Sequence, residues 1–178
     1  MPGSSAEFDE YVSSSYSRHL RRAYLLTGDL HAAEDLVQVT LAKLALVWRR
    51  VARERGLDGY VRRTMTNAHI SSRRRSWWRE LPMELRPDEV VAADDTGQVD
   101  DRDMLRRGLR VLPARQRAVV VLRYYEDLSE ADTAEALDCS VGTVKSLASR
   151  GLRRLRAVLA PDGQGRLIVP AGEKGKTS

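Results

Sequence analysis

The first third of the chain places its apolar residues with the period of an α-helix. In the first segment they lie three or four residues apart, at Phe8, Tyr11, Val12, Tyr16, Leu20 and Tyr24. Gly28 predicts the end of this helix, because glycine commonly terminates helices. Asp29 can cap a second helix, whose wide apolar face is Ala33, Leu36, Val37, Leu41, Leu44 and Val47. The segment 56–59, with a glycine at each end, predicts the break before a third helix.

The last third of the chain repeats this period in shorter segments. Leu105, Leu109 and Leu112 have i, i+4, i+7 spacing and predict one helix. Pro113 then begins another, because its missing N–H has no partner to lose in a first helical turn. The apolar residues that follow predict that this helix covers residues 114–125.

Two capped helix starts come next. Ser129 followed by Asp132 has the spacing of a capping box and predicts a short helix that ends at Leu137. Ser140 can cap a second helix that begins at Val141. Two short helices joined by about three residues are typical of the helix-turn-helix. The small core expected between them contains Ala134, Leu137, Val141 and Val144.

The second of these helices has an outer face of hydroxyl and cationic side chains. Its N-terminal part suits base edges, whereas Arg153, Arg154 and Arg156 suit phosphates. The alternative is a solvated, arginine-rich helix end stabilised by the helix dipole. The residues predicted to contact DNA are Ser140, Thr143, Lys145, Ser146, Ser149, Arg150 and Arg153.

Charge divides the chain into three parts. Residues 1–79 and residues 104–178 each carry 14 basic and 8 acidic groups, whereas residues 80–103 carry 2 basic and 9 acidic groups. Each outer part therefore has a net charge of +6 and the middle part has −7. We interpret the middle part as a flexible linker between two basic modules. The tail 161–178 is rich in glycine and is expected to be disordered.

Composition excludes several classes of site. The single cysteine, Cys139, cannot form an intramolecular disulfide, and three scattered histidines do not favour a zinc site or another metal site. No apolar run reaches the roughly 20 residues that span a bilayer, so no membrane insertion is expected. No cofactor motif or cluster of catalytic residues is present. These observations predict a cytoplasmic protein that is not an enzyme.

The C-terminal motifs resemble region 4 of bacterial sigma factors. The resemblance lies in the segments 112–117 (LPARQR), 122–129 (LRYYEDLS) and 140–146 (SVGTVKS). It is closest to the extracytoplasmic-function group, of actinobacterial type. In that family this module reads the minus-35 promoter element. Two departures are visible: Asp138 replaces the usual glycine in the turn, where a positive φ is tolerated by aspartate, and Leu147 replaces a common arginine.

The N-terminal half resembles region 2 of the same family. Segments 26–29 (LTGD) and 32–38 (AAEDLVQ) resemble the part that docks on the clamp helices of RNA polymerase. The resemblance implies polymerase contacts by Glu34, Asp35, Leu36 and Gln38, although Asp35 could instead pair with a nearby arginine. Segment 60–68 (YVRRTMTNA) with the arginines after it resembles the part that melts and reads the minus-10 element, which implies DNA contacts by Arg62, Arg63, Asn67, Arg73 and Arg74.

Trp77 and Trp78 have two interpretations. They could stack on separated bases, or they could pack against the first helix or the start of the linker; their position at the end of the helix favours packing.

Together these features predict an all-α protein of two small helical domains. Residues 1–79 would form sigma region 2, residues 80–103 an acidic linker and residues 104–160 sigma region 4. The resemblance implies a sigma factor that binds core RNA polymerase at its clamp helices and flap, recognises both promoter elements and initiates transcription. An anti-sigma factor is a further partner that this group allows. The alternative is a freestanding helix-turn-helix regulator that binds DNA without polymerase.

Overall fold

A computed structural model describes residues 5–52, 56–79 and 101–159, with side chains 73–79 and 101–103 left undescribed. These residues form seven α-helices and one π-helical turn, and no strand occurs among them, which confirms the all-α prediction. The helices are α1 (Ser5–Thr27), α2 (Leu30–Val51), α3 (Leu57–Arg79), α4 (Asp101–Arg110), α5 (Ala114–Val120), α6 (Glu130–Ala136) and α7 (Val141–Leu159). The π-helical turn, Val121–Tyr125, follows α5 directly.

Helices α1, α2 and α3 pack on one another and are called the first bundle here. Its fully buried side chains include Leu26, Val37, Leu44, Val61 and Met65. One end is closed by aromatic rings, with Phe8 edge-on to Trp48 at a centroid distance of 5.2 Å. The long apolar faces of α1 and α2 therefore face the same core, as their spacing predicts.

The predicted boundary between α1 and α2 is confirmed. Gly28 has φ 74°, and its N–H donates to the Tyr24 carbonyl oxygen over 2.7 Å. The Asp29 carboxylate accepts the N–H of Ala32 over 2.8 Å and so caps α2. The next boundary differs from the expectation: α3 begins at Leu57, so most of the predicted break 56–59 is helical, and Asp58 lies in the first helical turn.

Helices α4 to α7, with the π-helical turn, form the second bundle around Leu109, Leu112, Val119, Leu122 and Leu155, all at most 5% exposed. Of the three leucines predicted to lie on one helix, Leu109 and Leu112 are core residues and Leu105 is 42% exposed. Leu112 lies beyond the end of α4 at Arg110. Helix α4 begins at Asp101, three residues before the predicted start of the module. The remainder of the predicted linker and the tail 161–178 lie outside the described residues.

The predicted helix over residues 114–125 has the expected bounds, but its second half is π-helical rather than α-helical. Helix α5 ends at Val120, and five residues of π-helix follow, in which the Glu126 N–H donates to the Val121 carbonyl oxygen over 3.0 Å. Asp127 has φ 52°, so the chain turns sharply there. A π-helical turn inserts one residue into a helix and rotates the side chains after it. The result is that Glu126 faces the first bundle.

The helix-turn-helix is formed by α6 and α7, as the capping residues predict. The Ser129 side chain accepts the N–H of Asp132 over 3.0 Å, and the Ser140 side chain accepts the N–H of Thr143 over 3.1 Å. Asp138 has φ 49°, which confirms the expected positive φ in this turn.

The core between α6 and α7 is smaller than predicted. Ala134, Leu137 and Val144 are at most 7% exposed, but Val141 is 38% exposed, so its predicted core position is wrong. Val141 is the first residue of α7, where the helix has only just left the turn. Cys139, in the turn between α6 and α7, is half-buried.

Candidate nucleic-acid interface

The solvent side of α7 brings together all seven residues predicted to contact the minus-35 element. Thr143 is half-buried and the other six are exposed. The opposite side of the helix is buried through Val144, Gly151 and Leu155. A Cβ atom on Gly151 would lie 2.9 Å from Val120 Cγ2, so the absence of a side chain lets α7 approach α5 closely.

Local contacts hold the polar side chains of this surface. The Ser140 and Thr143 hydroxyls are 2.9 Å apart, at the N-terminus of α7. Arg150 Nε donates to the Ser146 carbonyl oxygen over 3.2 Å, and Arg150 Nη2 lies 3.2 Å from the Ser146 hydroxyl. Lys145 Nζ lies 3.5 Å from a Glu130 carboxylate oxygen. The surface therefore offers hydroxyls near its first turn and cations along its length, and α7 contains no acidic residue.

Among the three predicted minus-10 contacts whose side chains are described, Arg62 lies apart from Arg63 and Asn67. Arg63 is exposed and Asn67, one helical turn further along α3, is half-buried. Arg62 points elsewhere: its side chain is only 18% exposed, with Nη2 3.2 Å from Asp58 Oδ2 and Nε 3.4 Å from Glu126 Oε2. The side chains of Arg73, Arg74, Trp77 and Trp78 lie outside the description, although their backbone is part of α3.

The predicted polymerase-contact residues are divided between surface and core. Asp35 and Gln38 are exposed and Glu34 is half-exposed, but Leu36 is 7% exposed and packs in the first bundle. Leu36 is thus part of the core, because the inward face of α2 passes through it, and its polymerase contact stays a prediction. Within the part of the chain that the structure describes, Asp35 forms no ion pair, so the pairing alternative finds no support.

Two apolar residues extend this polar surface along α2. Val39 is 48% exposed and Leu46 is 87% exposed, and helical geometry places both on the side of Asp35 and Gln38. The sequence contains a signal for them, because positions 39 and 46 fall outside the period of the buried residues of α2. The exposed face of α2 therefore combines polar and apolar groups, as protein-binding surfaces do.

Other kinds of site find no support in the described ranges. No group of three His, Cys, Asp or Glu side chains is arranged to hold a metal ion there. None of the helices within those ranges has the length and apolar character needed to cross a membrane.

Comparison with known proteins decides the family. The family described as Sigma-70 region 2 matches residues 11–79, and the one described as Sigma-70, region 4 matches residues 102–155. The RNA polymerase sigma-E factor of Streptomyces avermitilis is 43% identical over 162 residues, which cover 88% of this chain and 87% of that protein. The chain belongs to the RNA polymerase sigma factors of the sigma-70 family.

Further relatives narrow the group. The ECF RNA polymerase sigma factor SigE of Mycolicibacterium smegmatis is 34% identical, over 86% of this chain and 62% of that protein. A solved structure of the sigma factor RpoE in complex with the anti-sigma factor NepR, from Bartonella quintana, has a TM-score of 0.65 and 25% identity. The matched part covers 88% of this chain and 98% of the RpoE chain. The resemblance to the extracytoplasmic-function group is therefore confirmed, with relatives from actinobacteria.

Membership of this family establishes the general function. The protein is a transcription initiation factor that binds core RNA polymerase and directs it to promoter DNA. A freestanding regulator, the alternative interpretation, is not supported, because both matched regions belong to sigma factors and occur in the family's order.

Proposed function

We propose that the two bundles divide promoter recognition between them. Residues 104–160 would bind the minus-35 element through α7, and residues 1–79 would bind core polymerase and the minus-10 element. The observation that carries this assignment is the outer side of α7, where hydroxyls precede a row of cations and carboxylates are absent. Tethering two weak DNA contacts to one polymerase raises the effective concentration of each, so neither needs high affinity alone.

Roles along α7 follow from where each side chain lies. Thr143, Ser146 and Ser149 present short side chains near the first turns, the part of a recognition helix that reaches base edges. Arg153 is exposed about two helical turns after Ser146. At that distance a recognition helix leaves the DNA groove and meets the phosphate backbone. The first group would set sequence preference, and Arg153 would add affinity that is independent of sequence.

The polymerase contact would use the exposed face of α2. Asp35 and Gln38 supply hydrogen-bonding groups, and Val39 and Leu46 supply apolar area that is costly to leave in water. The factor would contribute recognition alone, with the chemistry of RNA synthesis performed by the polymerase, and it would act in the cytoplasm beside the chromosome. Because the similar structure holds an anti-sigma factor, we include a protein of that class among the partners.

The test combines run-off transcription with a salt series. Purified core polymerase with this chain should give new start sites on genomic DNA, and those sites supply the promoter fragments. Holoenzyme with Arg153→Ala should then bind a fragment carrying the upstream element with a log–log salt slope that is shallower by about 0.9, the value of one phosphate contact. Arg21→Ala, an exposed arginine on α1, is the matched control and should keep the wild-type slope.

Two results would contradict the proposal. One is the absence of new start sites in the run-off assay. The other is equal salt slopes for Arg153→Ala and the Arg21→Ala control, which would remove α7 from the DNA interface.

A further inference from the structure

The helix-turn-helix places an acidic helix beside a basic one. Residues 126–138, which contain α6, carry six acidic side chains and no lysine or arginine. Residues 141–159, which form α7, carry one lysine, four arginines and no acidic side chain. The two helices pack on each other, so carboxylates of α6 lie close to the surface proposed to bind DNA. Because a carboxylate and a phosphate repel each other, these carboxylates affect how α7 meets the duplex.

One carboxylate of α6 is paired with a cation of α7. Glu130 is the first residue of α6, and its Oε2 lies 3.5 Å from Nζ of Lys145, the single lysine in the α7 sequence. The Lys145 side chain is 63% exposed and that of Glu130 is 40% exposed. An ion pair this open to water contributes little to the stability of a fold. The consequence of the pair is therefore the position of the ammonium group.

The general docking geometry of the motif shows which side of the ammonium the carboxylate covers. In a helix-turn-helix the N-terminal residues of the second helix contact base edges, whereas the first helix crosses the DNA backbone. Lys145 lies in the second turn of α7, within the part that reaches bases, and Glu130 belongs to the helix that crosses the backbone. The Glu130 carboxylate would therefore repel phosphates on one side of the ammonium and leave its groove side open.

An ammonium group held in this way favours guanine. A lysine has three N–H donors and no acceptor, so one carboxylate partner leaves two donors for DNA. Guanine presents two acceptors, N7 and O6, side by side in the major groove, whereas adenine presents N7 beside an amino donor. The two remaining donors of Lys145 therefore match guanine and mismatch adenine.

Pairing also changes the contribution of Lys145 to electrostatic attraction. A cation that binds a phosphate releases counterions and makes DNA binding more dependent on salt. The charges of Lys145 and Glu130 cancel, so the pair adds no such term. Lys145 and Arg153 are both exposed cations of α7, but only Arg153 is expected to act through phosphates.

We propose that Glu130 is a positioning residue for promoter recognition: it holds the Lys145 ammonium toward a guanine of the minus-35 element and away from the phosphate backbone. This inference rests on the proposed function, in which α7 binds that element. It assigns Lys145 to sequence preference. Without the Glu130 carboxylate, the long and rotatable lysine side chain would bind a phosphate instead, and DNA binding would become tighter and less selective.

The first measurement is the salt dependence with which holoenzyme binds the promoter fragments obtained by run-off transcription. Glu130→Gln should steepen the log–log slope by about 0.9, because the released ammonium gains one phosphate contact. Glu135→Gln, an exposed glutamate on the same helix, is the matched control and should keep the wild-type slope. The double variant Glu130→Gln with Lys145→Ala should also keep that slope, because it removes a pair with no net charge.

The second measurement replaces each guanine of the minus-35 element, on either strand, by 7-deazaguanine, which lacks the N7 acceptor. Wild type should bind one of these fragments at least about 5-fold more weakly, the lower end of what a lysine on guanine discriminates. Glu130→Gln and Lys145→Ala should both lose this sensitivity. Lys145→Arg should retain it, because arginine can pair with Glu130 and read the same two acceptors. A merely structural role of Glu130 would instead weaken binding to all fragments alike.

Four results would overturn the inference. The first is an equal salt slope for Glu130→Gln and Glu135→Gln. The second is a double variant whose slope is shallower than that of wild type by about 0.9, because Lys145 would then bind a phosphate. The third is the absence of any guanine that wild type senses and Lys145→Ala does not. The fourth is a urea unfolding midpoint of Glu130→Gln well below that of Glu135→Gln, which would assign Glu130 to the fold.

Failure of the proposed function is recognised by a different variant. If Arg153→Ala keeps the slope of the Arg21→Ala control, α7 does not bind DNA, and the role of Glu130 falls with the proposed function. If Arg153→Ala has its shallower slope while Glu130→Gln matches Glu135→Gln, the proposed function stands and the role of Glu130 alone is refuted.

Discussion

Acid should destabilise the protein through His19, a buried histidine of α1. His19 is 0% exposed, and its Nε2 lies 3.1 Å from the Tyr11 hydroxyl. Burial, followed by the nearby charges of Arg22 and Arg18, lowers the pKa of this imidazole from 6.5 to about 4. The ring is therefore neutral in the folded protein throughout the range in which an exposed histidine becomes protonated.

The direction of the effect follows from proton linkage. Between pH 6.5 and pH 4 the unfolded chain binds a proton at His19 that the folded chain does not. The free energy of unfolding therefore falls as the pH is lowered through this range, and the loss is complete below about pH 4. The full difference in pKa corresponds to about 3 kcal/mol, of which about 2 kcal/mol is lost by pH 5.

The assay is urea unfolding of the full chain at pH 7.5, 6 and 5. In His19→Gln the amide oxygen can still accept the Tyr11 hydroxyl proton, but it cannot titrate. The variant is expected to be less stable at pH 7.5 and to lose about 2 kcal/mol less than wild type on going to pH 5. His31→Gln is the control, because the His31 side chain is 92% exposed, and its pH dependence should match wild type.

Parallel curves would refute this reasoning. If wild type and His19→Gln lose the same free energy between pH 7.5 and pH 5, the acid sensitivity comes from other groups. His69, which is also buried, is present in all three proteins, so its contribution cancels in the comparison.

Two further predictions concern the helix-turn-helix. Asp138→Val should lower the free energy of unfolding by about 1–2 kcal/mol, because a β-branched residue tolerates φ 49° poorly. Asp138→Gly should not destabilise the protein. Thermal unfolding of the two variants checks this, and equal losses of stability would contradict it. Val144→Ala should lower the free energy of unfolding by roughly 2 kcal/mol, because Val144 is fully buried. Val141→Ala should lower it by less than about 0.5 kcal/mol, because Val141 is 38% exposed. Urea unfolding that gives the reverse order would contradict the assigned core.

Local signals in the sequence predicted the helix ends well. Gly28, Asp29 and Ser140 terminate or cap helices as expected, and Asp138 adopts a positive φ. Each depends on contacts within about four residues, so the sequence around it contains the whole interaction. The outer face of α7 was predicted for a related reason, since helical period alone decides which side chains share a face.

Errors occurred where packing rather than period decides. Periodicity assigns Leu36 to the apolar face of α2, and its side chain packs inside, whereas the polymerase contact that the family resemblance implies for it stays a prediction. Val141 has a core residue's spacing but is exposed in the first turn of α7. The π-helical turn Val121–Tyr125 has no signal in an apolar run that would equally suit a continuous helix.

The sequence by itself determined the helical class, the positions of the caps and the family, because these depend on short-range geometry and on motifs read in order. Only the tertiary structure paired Arg22 with Glu126 and Arg117 with the end of α1. A charged side chain in a sequence carries no information about its distant partner, because that partner is chosen by which surfaces of the two bundles fit together. The fold therefore decided which of the many arginines are free to meet DNA and which are already occupied.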